Sequence, residues 1–237
     1  VEQERTGFFL TRASSLLTQP AAIEWVIRGW LPANGIAMIY GESGVGKSFV
    51  ALDMACHIVT GKAWRNSKTK CNQVVYMAGE GNYGMRSRIA SWCKHHGVAA
   101  DGGMNRLLVS NQAIDMDSPD AATIIIRAVR DLTKESVSVL YIDTLNNHMA
   151  GDENAAKDAR AMLNVCAIVA RALGATVVLV HHTGHAEDAK GRARGSSAWK
   201  AALDASILVS RRDDVLAITC TKMKDALPPD PLHGGIK

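Results

Sequence analysis

The sequence predicts an α/β protein: a mostly parallel, twisted sheet with helices on both faces and a C-terminal antiparallel hairpin. Three observations carry this. Uninterrupted apolar strands alternate with helical segments along most of the chain, the pattern of a sheet buried on both faces. The segment Gly41-Glu42-Ser43-Gly44-Val45-Gly46-Lys47-Ser48 fits G-x-x-x-x-G-K-[ST] and lies between a strand and a helix. The last two apolar stretches are joined only by Arg211-Arg212-Asp213-Asp214, as in a hairpin.

Gly35 to Tyr40 reads as a buried strand entering the glycine-rich segment. Ala51, Met54, Ala55 and Ile58 then recur at helical spacing, with Gly61 as a stop. Val74 to Glu80 is an apolar strand ending in an acid. Residues 82–96 follow as a helix with Met85, Ile89, Trp92 and Cys93 inward and Arg86, Arg88 and Lys94 outward. Leu107 to Ser110 is a short strand. Ser118-Pro119 caps a helix with Ile125, Ala128, Val129 and Leu132 on one face and proline at its first position. Val137 to Asp143 is a long strand that again ends in an acid. A helix over 153–173 buries Ala159, Met162, Leu163, Cys166, Val169 and Leu173 before Gly174. Thr176 to His182 is the next strand, and the hairpin pairs Ala205–Ser210 with Val215–Thr221.

With 237 residues and 47% hydrophobic content the chain can bury one sizeable core. The reading is a lead-in over 1–34, one domain over 35–225 and a tail over 226–237. A net charge of +4 permits nucleic acid without demanding it. Five scattered cysteines without a C-x-x-C pair fit a reducing cytosol and argue against a disulfide scaffold or zinc ribbon. No apolar run reaches the ~18 residues of a membrane span, and the polar start is unlike a signal peptide. A first residue other than Met and a Pro/Gly-rich end read as a domain cut from a longer protein.

Chemistry concentrates where strands end. Glycines let successive N–H groups face phosphate oxygens, Lys47 brings charge to the terminal phosphates, and the Ser48 hydroxyl can ligate Mg²⁺. The nucleotide-binding segment is read as Gly41 to Phe49. Asp143 ends its strand where a Mg²⁺-associated acid belongs, but Thr144 follows it in place of a catalytic Glu. Glu80 is therefore the candidate base, since all C-terminal ends of a parallel sheet open on one edge. His181-His182 ends a strand on that same edge; adjacent residues diverge, so only one can face the γ-phosphate. That divergence also counts against zinc in the H-H-x-x-H segment completed by His185. Lys190, Arg192, Arg194 and Lys200 lie in a polar stretch that reads either as a solvated loop or as a contact to a nucleic-acid backbone. Lys222 and Lys224 read either as surface lysines or as cations supplied to a neighbour's nucleotide.

Together these residues resemble the RecA-like ATPase fold, and within it the hexameric replicative helicases of the plasmid RepA and DnaB-like kind, from about Ile23 to Asp225. The family's catalytic glutamate matches Glu80, its Walker-B acid Asp143, the histidine pair of the RepA group His181-His182, and its R-G-S-S segment Arg194-Gly195-Ser196-Ser197. Lys222-Met223-Lys224-Asp225 is similar to the segment by which DnaB-like helicases reach the next subunit. The resemblance implies an Mg²⁺-dependent ATPase and DNA helicase in replication of a phage, plasmid or other mobile element. It further implies a cytoplasmic homo-hexameric ring on single-stranded DNA, with a fused or separate primase. Where RepA carries an arginine finger after R-G-S-S, this chain reads Ala201-Ala202-Leu203-Asp204-Ala205. The cation is then Lys222, Lys224 or Arg211-Arg212, or the chain lacks one. A RecA-type recombination ATPase and a non-motor DNA-binding scaffold are the alternatives. The absence of L-S-G-G-Q counts against ABC transport.

Overall fold

The computed structural model describes residues 10–18, 22–79, 83–99, 101–182 and 197–235. The short helix α1 (Ala13–Leu17) precedes an antiparallel pair, β1 (Trp25–Ile27) and β2 (Leu31–Pro32). Then come β3 (Ile36–Gly41), α2 (Lys47–Thr60), β4 (Gln73–Ala78), α3 (Tyr83–His96) and β5 (Leu107–Val109). They are followed by α4 (Ala121–Leu132), β6 (Val137–Asp143), α5 (Ala156–Leu173), β7 (Thr176–His182) and α6 (Ser197–Ala202). The chain closes with β8 (Ala205–Arg212), β9 (Val215–Met223) and β10 (Leu232–Gly235). Among the described residues no helix is long and apolar enough to cross a membrane.

The main sheet has eight strands in the order β10-β9-β8-β3-β7-β6-β4-β5. Strands β8 to β5 of that order run parallel, whereas β9 and β10 are antiparallel. This is the expected α/β architecture with its hairpin. Side chains of a strand alternate between faces, and the core divides accordingly. Ala37, Ile39, Tyr76, Tyr141, Val178 and Val180 share one apolar cluster with α2 and α3. Met38, Met77, Leu140, Ile142, Val177 and Leu179 share the other with α4, α5 and Trp199 of α6.

Four expectations change. The helix after Ser118 starts at Ala121, because Ser118 closes a turn by accepting the Ala121 N–H through its carbonyl. Its buried face is Ala121, Ala122, Ile125 and Val129; Ala128 and Leu132 are exposed. The assigned lead-in is not peripheral, since Val26, Ile27, Trp30 and Leu31 belong to the first core cluster. Trp30 meets Trp64 edge to face at 5.4 Å, an aromatic contact that fixes β1–β2 against the body. The assigned tail supplies β10, which pairs with β9 and extends the sheet.

The helices on the side of the glycine-rich segment are tied by one carboxylate. Asp53 Oδ2 accepts from Trp64 Nε1 at 2.8 Å, and its Oδ1 accepts from Trp92 Nε1 at 2.8 Å. His57 Nδ1 lies 3.2 Å from Oδ1 and 2.8 Å from the Asp53 carbonyl. His96 stands close enough that the ligand atoms of Asp53, His57 and His96 lie within 4.8 Å. Both Asp53 oxygens are already engaged by indole donors, which makes the group a hydrogen-bonded tie between α2 and α3. Burial alone would raise the Asp53 pKa, but the hydrogen bond and charge of His57 and the two indole N–H groups outweigh it and hold it below the usual value. A lowered folded pKa contributes stability that is present above the unfolded value near 3.8 and is lost as pH falls through the folded value. Asp53→Asn is expected to cost about 2 kcal/mol at neutral pH. In urea titrations the gap to wild type should narrow below about pH 4; a gap independent of pH would show that the carboxylate charge is not what holds the tie.

Candidate nucleotide site

The glycine-rich segment turns the chain from the end of β3 into the start of α2. Gly44 (φ +77°) and Gly46 (φ +104°) occupy the left-handed region, where a side chain is strained. A Cβ on Gly41 would collide with the Val209 carbonyl oxygen of β8. Glycine at these places follows from backbone geometry, and the turn presents the N-terminus of α2, whose dipole and N–H groups suit an anion such as phosphate.

Lys47 is buried, and its Nζ donates to the carbonyls of Gly41 (3.1 Å) and Glu42 (2.7 Å). It also lies 3.1 Å from His182 Nδ1. An ammonium has no acceptor, so the His182 nitrogen facing it accepts and is unprotonated in this arrangement. Ser48 Oγ donates to Asp143 Oδ1 at 3.0 Å. The buried Tyr76 hydroxyl donates to Asp143 Oδ2 and reaches the Ser48 carbonyl at 3.4 Å. Burial, then the adjacent Asp143 charge, push the Tyr76 pKa well above its ordinary value, so it remains a donor. The ring stacks on Tyr141, with centroids 5.5 Å apart. Hydroxyl and carboxylate oxygens in contact at a buried edge suit a hard cation such as Mg²⁺.

Strand alternation explains the arrangement. Asp143 shares the parity of Val139 and Tyr141 and faces α2; His182 shares that of Val178 and Val180 and does the same. His181 takes the opposite parity. It is fully buried, its Nε2 lies 3.8 Å from Glu153 Oε2, and its ring centroid is 6.4 Å from that of Trp199. Only one of the histidine pair is expected to face the γ-phosphate; His182 is the one beside Lys47, and His181 belongs to the layer of α5 and α6.

Glu80, Lys190, Arg192 and Arg194 lie outside the described residues. Lys200 is exposed on α6, and its carbonyl accepts from Lys222 Nζ at 2.8 Å. The four finger candidates separate by edge. Arg211 and Arg212 end β8 at the P-loop edge, where Arg211 meets Asp214 at 3.2 Å. Because β9 runs back, Lys222 and Lys224 lie at the opposite edge; Lys224 pairs with Asp204 at 3.2 Å. Glu42, Ser43 and Phe49 are exposed, and Val45 is buried. The sequence reading passes over Tyr76, although its parity within the strand sets it on one face with Val74 and Ala78.

Residues 2–188 match the model of a family described as an AAA domain. No curated protein matches the chain. Tyr76→Phe leaves the buried Asp143 carboxylate one donor short. It is expected to lower stability by about 1–3 kcal/mol with the fold retained; an unchanged urea midpoint would show that this hydrogen bond carries no net stability.

Proposed function

The chain belongs to this AAA-domain family of P-loop NTPases, and on that premise we propose that it is the ATPase domain of a replicative-type DNA helicase. The observation that carries the nucleotide reading is the convergence of Lys47, Ser48, Asp143 and His182 on one sheet edge. Lys47 would exchange the Gly41 and Glu42 carbonyls for terminal phosphate oxygens. Ser48 and Asp143 would hold Mg²⁺. The ion supplies neutralisation of charge developing across the β- and γ-phosphates. His182, hydrogen-bonded to Lys47, stands where a γ-phosphate arrives. By the family resemblance Glu80 polarises the attacking water, since Thr144 occupies the position after Asp143.

The helicase reading is supported by Glu80, the histidine pair and Arg194 to Ser197 in the sequence. The placement of Lys222 and Lys224 favours them as trans cations over Arg211 and Arg212. They lie on the sheet edge away from this chain's own phosphate loop, so a nucleotide they meet belongs to another copy. In a homo-hexameric ring the 183–200 stretch would hold single-stranded DNA, with Lys200 at its described end. A primase, fused or separate, fits the same replication context.

The test is ATP turnover with and without single-stranded DNA, alongside native mass with nucleotide. Wild type should assemble and be stimulated by DNA. Lys47→Ala and Glu80→Gln should each lose at least about a hundredfold in turnover, and Lys224→Ala should lose comparably while still binding nucleotide. Turnover indifferent to DNA overturns the helicase reading, and wild-type turnover in Glu80→Gln overturns the mechanism.

A further inference from the structure

A groove of about 790 Å³ begins at Gly46 and runs along α2, with α3 as its other wall. It is continuous with the phosphate loop, so a ligand anchored there has this groove as its path outward. At the mouth stands Phe49, on the first turn of α2 and one residue past Ser48, with 56% of its surface exposed. The guanidinium of Arg88 on α3 lies over its ring, 5.0 Å from the centroid. Leaving a phenyl ring in water forgoes the stabilisation that burial brings, and nothing in the core uses it. Lys47, Asp143 and His182 gather at the other side of the loop and line none of this groove, so Phe49 stands apart from them.

We propose that Phe49 and Arg88 form the nucleobase subsite, in which the base of the bound nucleoside triphosphate stacks upon the phenyl–guanidinium pair. This rests on the nucleotide reading above. A flat aromatic and a planar cation recognise the π-face that every base presents, so the subsite holds the base without reading its edge. The neighbouring serines Ser87 and Ser91 are small enough to leave that face open.

Calorimetric titration with Mg-ATP and with Mg-tripolyphosphate, which has the phosphates and no base, separates the two claims. Phe49→Ala should weaken ATP about tenfold or more, within the range measured for base stacking on aromatics, and leave tripolyphosphate unchanged. Arg88→Ala should weaken ATP by a smaller factor, and Phe49→Trp should bind ATP as wild type does. Because Phe49 is exposed, its replacement leaves the core intact, and circular dichroism checks this. ATP affinity unchanged in Phe49→Ala, or an equal loss for tripolyphosphate, overturns the subsite. If instead wild type and Lys47→Ala bind both ligands alike, the nucleotide reading itself fails.

Discussion

The Asp143 carboxylate is buried at the end of a central strand, and a buried carboxylate must be surrounded by donors. One donor, Ser48, comes from the first turn of α2; another, Tyr76, comes from the adjacent strand. Neither could reach it unless β3, β4 and β6 ran in the same direction and ended level. The parallel sheet thus appears at the site as a demand for hydrogen bonds. The same requirement sets the depth of the phosphate loop, because Ser48 follows Lys47 and both must point off the same turn.

The helices over the loop-bearing face are positioned by a second carboxylate with a similar task. Asp53, nearly two turns along α2 from the loop, satisfies the indoles of Trp64 and Trp92 together. α3 is consequently held at a defined distance from α2. The walls of the groove beyond Gly46 are thus set by polar satisfaction as well as by apolar packing. Both carboxylates are anchors for donors of neighbouring elements.

Much of this was legible in the residues. The loop, its flanking strand and helix, Asp143 and the alternation of strands with helices follow from spacing and periodicity, because each is a local pattern. The core role of Trp30 was not legible, since a tryptophan in a short polar-flanked segment finds Trp64 only through tertiary contact. β10 was hidden for a related reason: Leu232-His233-Gly234-Gly235 has weak strand character and forms by pairing with β9. Ser118-Pro119 carried a good capping signal, but the Ser118 carbonyl closed a turn and moved the helix start to Ala121. Tyr76 looked like one more apolar strand residue, because nothing local tells a packed hydroxyl from one that donates to a distant acid. The edge on which Lys222 and Lys224 lie depends on strand direction, which only the pairing of β9 with β8 determines.

The strand end at His181-His182 has a geometric consequence. His182 touches Lys47 in the layer of α2, and His181 approaches Glu153 in the layer of α5. One peptide unit joins the two rings, and an extended backbone keeps them on opposite sides. The two layers are therefore linked at this strand end through a single peptide unit.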